Sequence, residues 1–451
     1  MPNDPIEHVI VLMFENRSFD HLLAGCPKIL ARQPANGLNE YDGHPYPQAP
    51  GAARILTNDP SHETPDVLVQ LQGSGSVAQN GGFVLDYLRH HPQAGDAAEV
   101  MRYHAVGSLP AIHALADTFT VCDNWYASVP GPTWTNRLFA MSGTSLGRVK
   151  MPGGLLNLNV HWYDQPTIFD RLNEKKLNWR VYFGDTPLSF LLVHQWQPQN
   201  VLRHHHMPQF FEDAAGEAAE FPAFALIEPA YLNPGANDAH PPHDIIEADV
   251  LVANVYNAIR ANEALWNSSL LLILCDEHGG FYDHVPSPPA IAPDHHAEEY
   301  SFDRYGVRVP AILVSPHVAN GILSTPLDHT SLLRYLQLKW GLGPLGARTD
   351  SAQTFGSALG VKALRTDTPD RFTTARPAAL QSAPSLERLN EHQLAIVALS
   401  QHLESMTQED PSVVAARAQH VLSGPQSQAD AAVDRVEAFI AQQKSLAQQQ
   451  V

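Results

Sequence analysis

An α/β fold, with a mostly parallel sheet covered by helices on both faces, is what two features of the sequence predict. Strand-length apolar runs recur at 9–13, 179–183, 223–227, 270–274 and 309–314, and continuous apolar runs mark strands buried on both faces. Helix-like stretches lie between several of them, most clearly Ala248 to Leu265, whose apolar residues recur at three and four, the spacing of a helix that covers such a sheet.

Taken in order, the first run, Glu7 to Met13, leads into Phe14-Glu-Asn-Arg-Ser-Phe-Asp-His-Leu22, which packs Glu15, Asn16, Asp20 and His21 into a short turn. Proline, 36 residues in all, concentrates in connections such as 43–51 and 286–293, and loops of that length are expected around a functional site. The segment 121–137 is turn-rich, and Pro130-Gly-Pro132 is expected to release a helix whose N-terminus carries Thr133. A later run, Ser269 to Cys275, ends in Asp276-Glu-His-Gly-Gly-Phe-Tyr-Asp-His284. From about Pro384 the chain turns rich in Ala, Gln and Glu, with helical periodicity at 386–407 and 429–451. The expected organisation is a catalytic domain over 1–383 and a helical C-terminal extension over 384–451. The extension is expected to pack on the core or mediate self-association and to carry no chemistry. No repeat of solenoid length is present.

The bulk numbers exclude some classes. Lys and Arg total 28 against 47 Asp and Glu in 451 residues, a formal charge of -19, so nucleic acid and an anionic membrane surface are disfavoured as partners. Three cysteines without a CxxC pair indicate neither a disulfide framework nor a zinc ribbon. With no signal-like start and no apolar run near membrane-spanning length, the chain is expected to be soluble, without an integral membrane segment, and cytoplasmic or exported by a route the sequence does not display.

Two strand ends far apart in sequence, each carrying carboxylates, suit a hard cation, because its oxygen ligands must converge from separate elements. Glu15, Asn16, Asp276 and Glu277 are therefore candidate metal ligands. The oxygen-only set favours Ca, Mg or Mn, with Zn or Fe still compatible. The bland alternative is that Glu15 and Asn16 satisfy backbone groups of a turn. Thr133 would cap a helix, yet a hydroxyl at a helix N-terminus beside a divalent cation can also ionise and attack phosphorus.

Seven blocks, ENRSFDH at 15–21, DPSH at 59–62, NGGF at 80–83, CDNWYASVPGPTWTNR at 122–137, NDAHPPHD at 237–244, DEHGGFYDHV at 276–285 and DHTSLLRYL at 328–336, together resemble the bacterial phosphoesterase family. That family contains phosphatidylcholine-type phospholipases C and related acid phosphatases, with an alkaline-phosphatase-like fold. The resemblance implies hydrolysis of phosphoric esters through a phosphothreonine on Thr133. It also implies metal ligation by Glu15, Asn16, Thr133, Asp276 and Glu277, and catalytic His62 and His240 around the phosphate. The chain departs from the family pattern at Thr135, where proline is usual, and is expected to be without the extra C-terminal β domains of the large haemolytic members.

The expected substrate is a phosphate ester, a phospholipid headgroup such as phosphocholine among the candidates. An acid phosphatase acting on monoesters would use the same residues, and a catalytically silent phosphate- or choline-binding protein is the alternative of another class. His243, His278, His284, Asp328 and His329 are candidates for substrate contact or for orienting ligands. Trp125, Tyr126 and Trp134 are expected to be hydrophobic anchors or, more sharply, a cage for a quaternary ammonium. Arg17 and Arg137 are expected to be structural, pairing with Asp20 and Asp123. Most of the 24 histidines, His204 to His206 among them, are expected at the surface.

Overall fold

A computed structural model describes residues 4–73, 79–151, 162–232, 235–360, 363–373, 388–408, 410–421 and 424–449. Its centre is an eight-stranded sheet of β1 (His8–Phe14), β2 (Thr120–Cys122), β3 (Trp179–Phe183), β4 (His204–His206), β5 (Phe224–Glu228), β6 (Ser269–Cys275), β7 (Ala311–Val314) and β8 (Gly321–Leu323), in the spatial order β8-β2-β7-β6-β1-β5-β3-β4. Every adjacent pair is parallel except those made by β7, which runs antiparallel to β6 and β2. All seven residues of β1 and all seven of β6 are buried. Successive side chains of a strand point to opposite faces, so both faces of the sheet centre are covered.

The five apolar runs become β1, β3, β5, β6 and β7, and the Ala248 to Leu265 stretch lies within α2 (Ile245–Ala261) and the short helix Glu263–Trp266 that comes after it. Three strands give no sequence signal. The segments 120–122, 204–206 and 321–323 are three residues each, too short for a periodic pattern. His204 lies at 0% exposure while His205 is half-buried and His206 exposed, which corrects the surface expectation for His204 alone; its Nε2 lies 3.0 Å from Ser189 Oγ and its Nδ1 3.0 Å from Asn200 O. Part of the connection expected at 43–51 is ordered as an antiparallel hairpin of Leu38–Tyr41 and His44–Pro47.

The expected division at 383/384 falls outside the described residues. Beyond it, α4 (Glu391–Ser405) and α5 (Pro425–Gln449) pack on each other and on the body, placing Ala395, Leu399, Leu403, Val436, Phe439 and Ile440 in the main core. Each large apolar side chain so buried stabilises by about 1.5–3 kcal/mol, enough to hold the helices against the sheet. Two further helices reach the carboxyl end of the sheet, α1 (Thr133–Ser142) and α3 (His329–Trp340).

Candidate active site

β1 and β6 are neighbours in register, Phe14 opposite Cys275, so Glu15-Asn16 and Asp276-Glu277 leave the sheet side by side. Asp276 N donates to Phe14 O at 3.0 Å and Arg17 N to Glu277 O at 3.0 Å, which continues the pairing into both turns. Beyond the carboxyl ends of parallel strands is where α/β sheets place their ligands. Asn16 is held at φ +56°, and Gly279, itself at φ +64°, fits against it only for want of a side chain, since a Cβ there would lie 2.3 Å from Asn16 O. Glu15, Asn16, Asp276 and Glu277 are all 0% exposed.

Thr133 is the first residue of α1, behind Pro132 in the capping position, and its Oγ1 donates to Asn16 Oδ1 at 3.4 Å. One turn further in, Arg137 Nε donates to Asp276 Oδ2 at 2.9 Å while Nη2 lies 3.3 Å from Glu15 Oε1 and Nη1 3.9 Å from Glu228 Oε1. Thus Arg137 sits among three carboxylates, none of them the expected Asp123, which pairs with Arg32. Arg17 also differs from expectation: its Nε donates to Ala239 O and its Nη1 lies 3.1 Å from His21, while Asp20 pairs with Arg308.

Histidines line the same end. Asn16 Nδ2 is 3.2 Å from His62 Nε2, and the His62 and His240 rings are 5.6 Å apart. Burial opposes a charge on His62, but Glu277 and Asp59 outweigh it and push it up to about 10. His240, burdened first by burial and then by the His62 charge, is held well below its usual range. His243 Nδ1 lies 2.7 Å from Asp238 Oδ1. His278 links Glu277, 3.3 Å away, to Gln70 at 2.7 Å. His329 joins Trp125 Nε1 at 3.3 Å to Asp276 O at 2.6 Å. Two sequence candidates lie elsewhere: His284 with Asp20 and Arg308, and Asp328 at the start of α3, accepting from Ser128 at 2.8 Å.

The residues present fit a cation. Burial, acting first, pushes Glu15 and Asp276 well above the carboxylate range and Glu228 up to about 7. Glu15 Oε1, with Arg137 Nη2 3.3 Å away, and Glu277 Oε1 make no hydrogen bond among the described residues, and buried oxygens left without hydrogen bonds suit a cation. Glu15, Asn16, Thr133, Asp276 and Glu277 would hold it. Among the described residues, the threesomes whose ligand atoms all lie within 4.8 Å of one another are different ones, Asp20 with Asp283 and His284, and Asp66 with Asp86 and His90. The first of these is already neutralised, since Arg308 Nη2 donates to Asp20 at 2.8 Å and its Nε to Asp283 at 3.1 Å.

The three aromatics do not form an open cage. Trp125 is 0% exposed and stacked on Phe355, Tyr126 is stacked on Tyr305 at 6.0 Å, and Trp134 is 1% exposed. All three rings are buried, and Trp125 also donates its Nε1 to His329.

Sequence reasoning misses His392. Its Nδ1 lies 2.6 Å from Glu15 Oε2 across 377 residues of chain, and burial first, then the Arg137 charge, push it down to about 3. The signal that could have found it is Asn390 with Gln393, a capping pair that opens a helix. Asp59, inside the DPSH block, is missed too; burial pushes it up to about 7 beside His62.

Paired carboxylates, a hydroxyl at a helix N-terminus and several imidazoles at the carboxyl end of a parallel sheet define a hydrolase of phosphoric esters. The chain belongs to the Phosphoesterase family, whose profile matches residues 6–343. It is 33% identical over 427 residues to non-specific phospholipase C6 of Arabidopsis thaliana, covering 88% of this chain and 80% of that one. Against phospholipase C B of Mycobacterium tuberculosis the figures are 26% over 394 residues, 75% and 74%. Among solved structures it is similar to an alkaline phosphatase superfamily protein from Vibrio parahaemolyticus, at TM-score 0.34 and 10% identity over 55% of this chain and 67% of that one. Among the described residues no helix is long and apolar enough to cross a membrane.

Proposed function

We propose that the chain is a phospholipase C type phosphodiesterase that releases a phosphorylated headgroup through a phosphothreonine on Thr133. The observation that carries this is the placement of Thr133 Oγ1 at the start of α1, against Asn16 and between two strand ends whose Glu15 and Glu277 each keep an oxygen without a hydrogen bond among the described residues. A divalent cation held by Glu15, Asn16, Thr133, Asp276 and Glu277 would supply neutralisation of the phosphate oxygens and ease ionisation of the hydroxyl.

Thr133 loses its proton to solvent and its Oγ attacks phosphorus. The bond from phosphorus to the lipid alcohol oxygen breaks, and His62, beside Asn16, donates a proton to that oxygen. Water then attacks the phosphothreonine, His62 takes up a proton from it, and Oγ leaves and is reprotonated. His240 is placed near the phosphate, and Arg137 fixes Glu15 and Asp276 throughout.

The headgroup need not be choline, because Trp125, Tyr126 and Trp134 are committed to packing. This agrees with the "non-specific" in the plant relative's name. The test is a panel of phosphatidylcholine, phosphatidylethanolamine, phosphatidylglycerol and p-nitrophenyl phosphate, with and without chelator, then acid quench and mass spectrometry of the Thr133 peptide. Diester turnover that chelator abolishes, with a phosphorylated Thr133 peptide, is the expected result. Turnover of the monoester alone moves the chain to the acid-phosphatase branch, and full activity without metal removes the cation.

A further inference from the structure

The family profile ends at residue 343, but the side chains that close the site continue past it. The first turn of α4 sends three of them inward. Asn390, in the capping position, accepts from Gln393 N at 2.7 Å and presents Nδ2 3.3 Å from His240 Nδ1. Gln393 Nε2 donates to Tyr231 O at 2.8 Å. His392, 1% exposed, reaches furthest, to Glu15. Its ring lies 5.1 Å from Tyr231 and 6.4 Å from His240, and its Nε2 makes no hydrogen bond among the described residues.

We propose that His392 is a positioning residue of the active site: its Nδ1–H holds Glu15 Oε2 away from Arg137, so the guanidinium meets one oxygen of the carboxylate only and the group stays available to a cation. The tail thereby completes the catalytic centre. This rests on the role of Glu15 as a cation ligand proposed above. The final torsion of a glutamate is broad and nearly two-fold, so a carboxylate gripped on one side only is free to rotate. Without His392 the nearest donor is Arg137, whose Nη2 is already 3.3 Å from Oε1, and a guanidinium takes both oxygens of a carboxylate readily. Both oxygens of Glu15 would then turn to Arg137, leaving neither for the cation. Helix packing alone does not explain the residue. An apolar side chain would fill the same buried position without leaving a ring nitrogen unpartnered, and buried polar atoms are ordinarily satisfied.

The experiment uses the full chain, metal-stripped, with Mn2+ as the probe. Three variants are compared with the unmodified protein. His392→Ala removes the donor, His392→Asn restores an N–H near the place of Nδ1, and Val436→Ala loosens the tail's packing away from the site. Readouts are Mn2+ affinity by calorimetry, kcat and KM on phosphatidylcholine, and melting temperature. Partners that orient a metal ligand typically alter affinity 10- to 100-fold, so His392→Ala is expected to weaken Mn2+ binding by roughly 10- to 100-fold. It should lower kcat with little change in KM, while His392→Asn recovers most of the loss. Val436→Ala should melt lower and bind Mn2+ as the unmodified protein does. Unchanged Mn2+ affinity in His392→Ala overturns the proposal, as does an equal loss in Val436→Ala. Failure of the unmodified protein to bind any divalent cation overturns the ligand role of Glu15 itself, a result distinct from either.

Discussion

Replacing Arg137 with Met removes a guanidinium while keeping a side chain of similar length, so the loss is of charge and hydrogen bonding rather than of volume. In the folded protein that guanidinium stands 2.9 Å from Asp276, 3.3 Å from Glu15 and 3.9 Å from Glu228, and Nη2 also donates to Met13 O at 3.2 Å. All three carboxylates are fully buried. Removing one partner of a buried ion pair costs about 3–5 kcal/mol, because a charge is left behind without compensation. With an unfolding entropy of about 2.1 cal/mol/K per residue, a 451-residue chain converts a loss of about 4 kcal/mol into a fall of roughly 4 °C in melting temperature. A divalent cation would compensate some of the same negative charge. The fall should therefore be larger in chelator than in saturating Mn2+. The assay is a thermal melt of Arg137→Met in both conditions, with Arg171→Met as reference, since Arg171 pairs with a Glu174 side chain that is 52% exposed and such pairs contribute under about 1 kcal/mol. Arg137→Met melting no lower than the Arg171→Met reference in chelator would refute the account of Arg137 as the charge that holds the carboxylates together.

Thr133→Ala should lower kcat by at least about a thousandfold, as loss of a covalent nucleophile does, with stability changed by under about 1 kcal/mol because Pro132, not Thr133, occupies the capping position; near-normal turnover removes Thr133 from the mechanism. His104 is held down to about 3 by burial first and then by the Arg17 charge, and neither of its ring nitrogens has a hydrogen bond among the described residues. Its folded value lies below the unfolded one near 6.5, so its contribution is intact above about pH 6.5 and is lost toward pH 3 at about 1.4 kcal/mol per pH unit; His104→Leu should therefore flatten the fall of melting temperature between pH 6 and 4, and parallel curves would exclude it. Trp125→Leu should destabilise by about 3 kcal/mol and lower turnover equally on choline and ethanolamine lipids, whereas a loss confined to choline lipids would restore the aromatic cage.

Local patterns make much of the site legible. A buried strand writes itself as an apolar run, and the residues just past the run stand at its tip, so Glu15-Asn16 and Asp276-Glu277 are readable from sequence as strand-end groups. The Pro130-Gly-Pro132 turn marks the start of α1 in the same way, and Thr133 with it. Expectation fails where a residue has more than one acceptable environment. A Trp beside a nucleophile serves equally as an anchor or as a cage wall, and only its burial, 0% for Trp125, separates the two.

Other features depend on which elements become neighbours, and no short window of sequence contains that. β1 and β6 lie side by side although some 250 residues separate them, and this adjacency turns two acidic tips into one site. Arg137 reads from sequence as an ion-pairing residue, but its partners are decided by where α1 docks. The tail is the extreme case: its composition and periodicity promise a helix and nothing more, while packing against the core brings His392 to Glu15. Secondary structure and the tips of strands are set by the apolar period of the chain, which acts over a few residues. The pairing of charges is settled only when burial of those apolar faces stacks distant elements, because the free energy of an ionised side chain depends on every neighbour that replaces its water.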